Sequence, residues 1–115
     1  MSFPRGTIVY GEDPFKDAGS GRPWLLINTP EMPFHGEQYI ALTLSTRTWY
    51  DERLPLATDD LLEGGLPEES AVLPWAVASL SPDGIERKLG RATKDVVDEA
   101  VATLVSYVGI VPGKR

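Results

Sequence analysis

The residue types that carry most enzymatic chemistry are scarce in this chain. It has no cysteine and one histidine, His35, which excludes thiolate metal sites and His-rich metal sites. It also contains no Gly-rich phosphate loop with Lys and Ser/Thr, no His-Glu-x-x-His and no Gly-x-Ser-x-Gly motif. Because imidazole titrates near neutral pH, His35 is a candidate general acid or base. The simpler alternative is a solvent-exposed histidine in a loop rich in Pro and Gly.

Carboxylates are more plentiful, and four pairs of them are adjacent in sequence. Acidic residues are mostly exposed to solvent, so we interpret these pairs as surface and predict neither a metal nor a cofactor. A magnesium site built from them is the alternative. The pairs are Glu12-Asp13, Asp51-Glu52, Asp59-Asp60 and Glu68-Glu69.

One polar stretch combines aromatic and cationic side chains. Trp49 and Tyr50 are candidates for stacking on the bases of RNA, with Arg47 and Arg53 beside them as candidate RNA-binding residues. Aromatic stacking next to arginine is a common way to bind single strands. Trp24, Trp49 and Trp75 are first of all candidates for the hydrophobic core, and stacking on bases is the alternative for Trp49.

The charge of the whole chain argues against a nucleic-acid partner. Its 17 acidic and 11 basic residues give a formal charge of −6, whereas phosphate binding favours basic proteins. A local basic groove would resolve this conflict. A halophilic source would also resolve it, since high salt shortens electrostatic interactions to a few Å; the four lysines against seven arginines hint at one. With no apolar run long enough for a membrane span and no signal-peptide pattern, we expect a cytoplasmic protein.

The elements that must position these residues are mainly strands. β-branched and aromatic residues alternate with Gly- and Pro-rich segments, which predicts five or six short strands. Residues 46–53 either extend one strand or form a loop, and residues 82–84, Pro-Asp-Gly, predict a turn. We expect loops at residues 11–21, 28–37 and 59–69 (or, in the last, a loop with a turn of helix), and strands at residues 5–10, 24–27, 38–45, 54–56, 70–80 (interrupted by Pro74) and 85–89 (or a 3₁₀ turn).

One helix closes the chain. Its apolar residues recur with the 3.6-residue period of an amphipathic helix, Thr93 is a suitable N-cap and Gly109 a suitable stop. The expected fold is therefore a single domain, residues 1–115, mainly β with a C-terminal helix, in the form of a small half-open SH3-like barrel. A two-layer α+β sandwich is the alternative. The apolar face comprises Val96, Val97, Ala100, Val101, Leu104, Val105 and Val108.

The order of several short motifs is also informative. Arg5-Gly6 opens the first strand, Gly21-Arg22-Pro23 precedes the apolar run at residues 24–27, and Thr43 lies within the next strand. Together with the terminal helix, this order resembles the PemK/MazF family of toxin–antitoxin ribonucleases over residues 5–110. The resemblance implies an SH3-like barrel of the PemK/MazF and CcdB type that forms a homodimer, with RNA lying along the dimer groove.

The resemblance also implies a chemistry. Members are metal-independent endoribonuclease toxins, in which the ribose 2′-hydroxyl attacks the adjacent phosphate and leaves a cyclic phosphate and a 5′-hydroxyl. The catalytic Arg and Thr of the family correspond to Arg22 and Thr43, whose planar paired donors and hydroxyl suit a phosphate transition state. An antitoxin protein whose disordered tail covers the dimer groove is the implied partner. Alternatively, Arg22 caps a turn or pairs with Asp17 at the surface.

The chain departs from the family pattern at the positions expected to transfer protons. Residues 17–20, Asp-Ala-Gly-Ser, replace a Glu-Gln pair, and Pro74 and Ala76 replace an Arg and an Asp that one branch uses. Residues 79–80, Ser-Leu, stand where many members have Arg-Thr. These departures favour an alternative function, a non-catalytic SH3-like module that binds RNA or a protein such as gyrase. A plain structural or adaptor domain is the third hypothesis.

Overall fold

The computed structural model describes residues 2–14, 20–66 and 68–110. These residues contain seven antiparallel strands and one helix. Two short 3₁₀ turns, Thr58–Asp60 and Pro82–Gly84, connect strands. The elements are β1 Thr7–Glu12, β2 Gly21–Leu26, β3 Tyr39–Ser45, β4 Leu54–Pro55, β5 Leu61–Gly64, β6 Ala71–Leu80, β7 Ile85–Ala92 and α1 Lys94–Val108. The strands form one sheet in the order β4-β6-β3-β2-β1-β7-β5.

The central strands are buried on both faces, because the sheet curves into a half-barrel. Side chains alternate between the faces of a strand, yet Ile8 and Val9 are both fully buried. Ile8 belongs to a core cluster that includes Leu25 and the helix residue Val97. Val9 belongs to a second cluster with Trp24. The predicted β-rich half-barrel with a terminal helix is confirmed; it has seven strands instead of five or six, and it is not a two-layer sandwich.

The loop predicted at residues 11–21 is shorter at both ends. Gly11 belongs to β1, and β2 already begins at Gly21. A Cβ on Gly11 would lie 2.9 Å from the carbonyl oxygen of Gly84, so this glycine permits close backbone approach and does not form a turn. Residues 15–19 of the predicted loop lie outside the described part of the chain.

The loop predicted at residues 59–69 contains an additional strand. β5 is an edge strand that pairs with β7, and β7 continues past the predicted end at residue 89 to Ala92. A Cβ on Gly90 would lie 2.5 Å from the carbonyl oxygen of Glu63, so glycine is needed where the two backbones meet. Acidic and Gly-rich composition favours a loop, but here pairing with the long neighbour decides the conformation.

Pro74 lies inside β6 and does not end it. Between Leu42 and Thr43 of β3, the register with β6 skips residues 74–76. These three residues therefore form a bulge, a position where proline is tolerated because no ladder N–H is required. The bulge places residues 74–76 beside Thr43.

The terminal helix begins and ends as predicted. The Thr93 hydroxyl accepts a hydrogen bond from the backbone N–H of Val96 at 3.4 Å, as an N-cap should. Gly109 follows the last turn with φ of +83°, a conformation that favours glycine. Among the described residues, no helix combines the length and apolar character required to cross a membrane.

The Arg-Gly opening has a structural role. Arg5 Nε donates to the carbonyl of Ile27 at 3.1 Å, and its guanidinium forms an ion pair with Asp98 of α1 at 3.0 Å. Gly6 has φ of +94°, and a Cβ there would lie 3.2 Å from the carbonyl oxygen of Ala92. The N-terminal segment thus ties together the end of β2, the end of β7 and the helix.

Candidate functional site

A groove of about 330 Å³ lies where β2, β3 and β6 meet the segment that follows β3; we name it the main groove. It combines cationic, hydroxyl, aromatic and apolar side chains. The structure therefore brings together Arg22, Thr43, Arg47 and Tyr50, four of the residues that the sequence singled out. Its lining among the described residues is Arg22, Thr43, Ser45, Arg47, Tyr50, Leu73, Trp75, Ala76 and Val77.

Arg22 enters the main groove from the start of β2, where its backbone pairs with Gly11 of β1. Its Nη2 donates to the carbonyl oxygen of Leu44 at 3.1 Å, and its Nη1 lies 3.4 Å from Oδ2 of Asp13. Its Cζ is 5.9 Å from the ring centroid of Trp24. The guanidinium is thus held between a carboxylate and a carbonyl, while 28% of the side chain remains exposed.

The interpretation of Asp13 as a surface carboxylate is wrong, because Asp13 is a buried residue of the site. It is only 3% exposed, and a buried carboxylate requires a paired or hydrogen-bonded neighbour. Its backbone N–H donates to the carbonyl of Ser20 at 3.0 Å, so the β1–β2 hairpin brings it next to Arg22. The ion pair expected for Arg22 exists, but this partner is Asp13; Asp17 lies outside the described residues.

Thr43 shares the groove face with Arg22. It pairs with Trp24 across the β2–β3 ladder, and Arg22 lies two residues from Trp24 on the same face. The two side chains are therefore diagonal neighbours, roughly 7–8 Å apart. Thr43 lines the groove beside Arg22, and among the described residues the buried side-chain donors without a hydrogen-bond partner are Nε of Arg22 and Nε1 of Trp24.

Tyr50 contacts two other aromatic side chains, Trp75 in the lining of the main groove and Trp49 beside it. The ring centroids of Trp49 and Tyr50 are 5.8 Å apart, and those of Tyr50 and Trp75 are 5.4 Å apart, edge to face. Trp49 is 68% exposed and Trp75 is 37% exposed, so the core placement is wrong for both, whereas Trp24 is buried as expected. Exposed aromatic rings near arginine suit base stacking.

Arg47 and Arg53 occupy different positions in the segment between β3 and β4. The Arg47 backbone N–H donates to Ser45 Oγ at 3.1 Å, and its Cζ is 5.3 Å from the ring centroid of Trp49. Arg53 Nη1 donates to the carbonyl of Tyr50 at 2.7 Å, and this arginine lines a neighbouring cavity. Neither guanidinium has a salt bridge to a described carboxylate. Both therefore add positive charge locally to a chain of charge −6.

His35 lies away from the main groove. Its Nδ1 is 3.1 Å from Nδ2 of Asn28, and its ring stands edge-on to Tyr39 with centroids 5.8 Å apart. Asn28 follows Arg22 by six positions, which is roughly 20 Å along an extended chain. The structure therefore does not bring His35 to Arg22 within one chain, and its acid–base role stays a prediction.

The described lining of the main groove contains hydrogen-bond donors but no carboxylate and no imidazole. Guanidinium and hydroxyl groups can bind a phosphate and stabilise negative charge that develops on it. Within the described ranges, no group of three or more His, Cys, Asp or Glu side chains could hold a metal ion. The arrangement favours anion binding and charge stabilisation.

Among the carboxyl groups of the described residues, two have a clearly lowered pKa, and both lie outside the main groove. A hydrogen bond from Lys88 lowers the pKa of Glu63, and a hydrogen bond from Lys94 lowers that of Asp98. Both are exposed surface pairs, so these shifts concern stability at acidic pH.

Comparison with known proteins gives matches by structure only. No protein-family model matches the sequence, and no curated protein matches it. The MazE–MazF complex from Deinococcus radiodurans contains a chain that matches with 22% identity and a TM-score of 0.75, over 96% of this chain and 100% of that one. At this identity, the likeness establishes the fold.

Two further solved structures match to a similar degree. An endoribonuclease in complex with its cognate antitoxin from a mycobacterial species matches with 18% identity and a TM-score of 0.70, over 97% of this chain and 98% of that one. A mycobacterial endoribonuclease matches with 18% identity and a TM-score of 0.72, over 96% and 94%. The chain therefore has the MazF-like fold, as the sequence resemblance implied.

Proposed function

We propose that this MazF-like chain is an endoribonuclease toxin of a type II toxin–antitoxin pair, which cleaves single-stranded RNA without a metal. The observation that carries this proposal is the main groove, where Arg22 and Thr43 share one face. Exposed aromatic rings and Arg47 extend the same surface. The groove thus offers a phosphate site and stacking surfaces for neighbouring bases.

In the proposed reaction, the ribose 2′-hydroxyl attacks the adjacent phosphorus and the bond to the 5′-oxygen breaks. The products are a 2′,3′-cyclic phosphate and a 5′-hydroxyl. Negative charge accumulates on the phosphate oxygens in the transition state, where the exposed part of the Arg22 guanidinium and the Thr43 hydroxyl can donate hydrogen bonds. Loss of one such positioned donor typically lowers the rate by about 10²–10³-fold.

The proposed partners are a second copy of the chain and an antitoxin. Apolar side chains at the end of α1 are exposed, among them Tyr107, Val108 and Ile110. Tyr107 also lines a cavity of about 240 Å³ with Trp75 and Glu52, next to the main groove. We propose that a homodimer forms across this region and that an antitoxin tail covers the RNA groove. Light scattering and co-purification with the product of a neighbouring gene test the two partners separately.

The experiment that tests the proposed activity is incubation of the purified protein with a long RNA in EDTA, from low salt to molar salt. We expect fragments that end in a cyclic phosphate and begin with a 5′-hydroxyl. Arg22→Ala should abolish them, while Arg91→Ala, which removes an exposed arginine from β7, should not. RNA that stays intact at every salt concentration would overturn the proposal.

A second candidate function is RNA binding without cleavage. It is favoured by the lack of a carboxylate or imidazole in the described lining of the main groove, because such groups usually transfer the protons in phosphate-ester cleavage. This function predicts that the wild-type protein binds RNA and produces no cut products. The Arg22→Ala substitution should weaken that binding. A binding assay run beside the cleavage assay distinguishes the two.

A further inference from the structure

A second cavity of about 250 Å³ lies next to the main groove. The two share Ser45 and Arg47 in their linings, so they are neighbouring compartments beside the segment that joins β3 to β4. Arg47 belongs to the boundary between them, and its backbone is fixed by the hydrogen bond to Ser45 Oγ. A ligand that occupies the main groove can therefore continue into the second cavity past Arg47.

The described lining of the second cavity contains two arginines. Arg47 lines both cavities, whereas Arg53 lines the second cavity but not the main groove. Its Nη1 donates to the carbonyl of Tyr50 at 2.7 Å, and its backbone N–H donates to the same oxygen at 3.3 Å. These bonds fix one side of the guanidinium. Its Nε and Nη2 have no hydrogen-bond partner among the described residues, so two nitrogens with three N–H groups remain for a ligand.

The rest of the cavity wall is rich in hydroxyl groups. Thr46, Thr48 and Ser70 line it together with Ser45, and the described lining has one carboxylate, Glu69, against two arginines. Positive charge thus exceeds negative charge here, although the chain as a whole has a charge of −6. The apolar part of the wall is Pro55, Leu56, Ala57 and Ala71.

We propose that the second cavity is a subsite for the nucleotide next to the one cleaved in the main groove. The phosphate of that nucleotide would contact Arg53, with Arg47 between the two phosphates, and the hydroxyl groups would face its sugar. Guanidinium donors suit phosphate oxygens, and hydroxyl side chains can donate hydrogen bonds to the ribose oxygens. This inference rests on the proposed function of the main groove.

The test uses RNA oligomers that the protein binds but cannot cleave, because their ribose 2′-oxygens are methylated. A dinucleotide reaches the main groove only, whereas a tetranucleotide extended at both ends also reaches the second cavity. Affinity is measured by fluorescence anisotropy over a range of salt concentrations. Each lost contact with a phosphate should reduce the slope of log affinity against log salt by about 0.7 for a single strand.

The informative variant is Arg53→Gln, compared with Arg53→Lys and with Arg91→Gln on β7. We expect Arg53→Gln to lower the slope by about 0.7 for the tetranucleotide and to leave the dinucleotide unchanged. Arg53→Lys should restore the slope because it keeps the charge, and Arg91→Gln should match the wild type. Melting curves verify that each variant is folded.

Several outcomes would overturn the subsite. One is a salt slope for the tetranucleotide that is the same in Arg53→Gln as in the wild type. Others are a decrease in slope that is equal for both oligomers, or one that is equal in Arg91→Gln. The last is a wild-type protein that binds neither oligomer. Failure of the proposed cleavage is a separate result, since the long-RNA assay reports it independently. An RNA that binds with this length dependence but is never cut would keep the subsite and refute the ribonuclease.

Discussion

Replacing Asp13 with asparagine should slow RNA cleavage without weakening RNA binding. Asp13 is 3% exposed, and its Oδ2 lies 3.4 Å from Nη1 of Arg22. Asparagine keeps the size and one acceptor oxygen but removes the charge that orients the guanidinium. Of the two hydrogen bonds that the Arg22 guanidinium donates, only the one to the carbonyl of Leu44 at 3.1 Å would keep its full strength.

The magnitude follows from the geometry of this pair. At 3.4 Å and an effective dielectric constant of about 20, the gross attraction is about 5 kcal/mol. Desolvation of the carboxylate offsets much of it, and water can reach Arg22, which is 28% exposed. We therefore expect a stability loss of about 1–3 kcal/mol. A displacement of the guanidinium by about 1 Å would lower kcat by about 10²-fold, while the added net positive charge keeps KM equal or lowers it.

The assay measures kcat and KM on a fluorescent RNA, together with urea unfolding. Glu12→Gln is a matched control, because it makes the same chemical change at the neighbouring residue, which is exposed. An unchanged kcat in Asp13→Asn would show that the carboxylate does not position Arg22. An equal loss in Glu12→Gln would show that the effect is one of overall charge.

Three further predictions concern the groove and its support. Thr43→Val, which keeps the shape of the side chain, should lower kcat by about 10²–10³-fold in the same RNA assay. A hydrogen bond from Lys94 lowers the pKa of Asp98 below its ordinary value of 3.8. The ionised carboxylate therefore stabilises the fold at pH values above 3.8, and this stabilisation is lost as the pH falls through the lowered pKa. Melting curves of Asp98→Asn should accordingly depend less on pH in that acidic range than those of the wild type. Gly6→Ala should cost about 1–3 kcal/mol in urea unfolding because of its positive φ, whereas Gly65→Ala, with open space around it, should cost little.

The elements that could be predicted from sequence are those specified by local patterns. The helix has a continuous 3.6-residue apolar period between Thr93 and Gly109, and both ends were predicted correctly. β5 could not be predicted, because residues 61–64 have the composition of a loop and become a strand only by pairing with β7. The bulge at Pro74 likewise depends on its partner β3, so the sequence indicated an interruption where the structure has a continuous strand.

The same distinction applies to the candidate site. Arg22 and Thr43 were found through short motifs, but their placement on one face depends on the β2–β3 register. Asp13 was missed because its contact with Arg22 requires the β1–β2 hairpin, and sequence distance favoured Asp17. Trp75 was assigned to the core because a tryptophan in a strand is usually buried; its exposure follows from the bulge in β6.

The composition of the main groove also determines how the rate should depend on pH. Its described lining supplies charge stabilisation through Arg22 and Thr43 but no carboxylate or imidazole to accept the proton of the 2′-hydroxyl. With hydroxide as the base, kcat/KM should rise by about tenfold per pH unit through the neutral range and show no plateau. General acid–base catalysis is typically worth about 10²–10⁴-fold, so cleavage should be slow at neutral pH. A bell-shaped profile would refute this reasoning, because it would require a general base from a partner subunit or from another part of the chain.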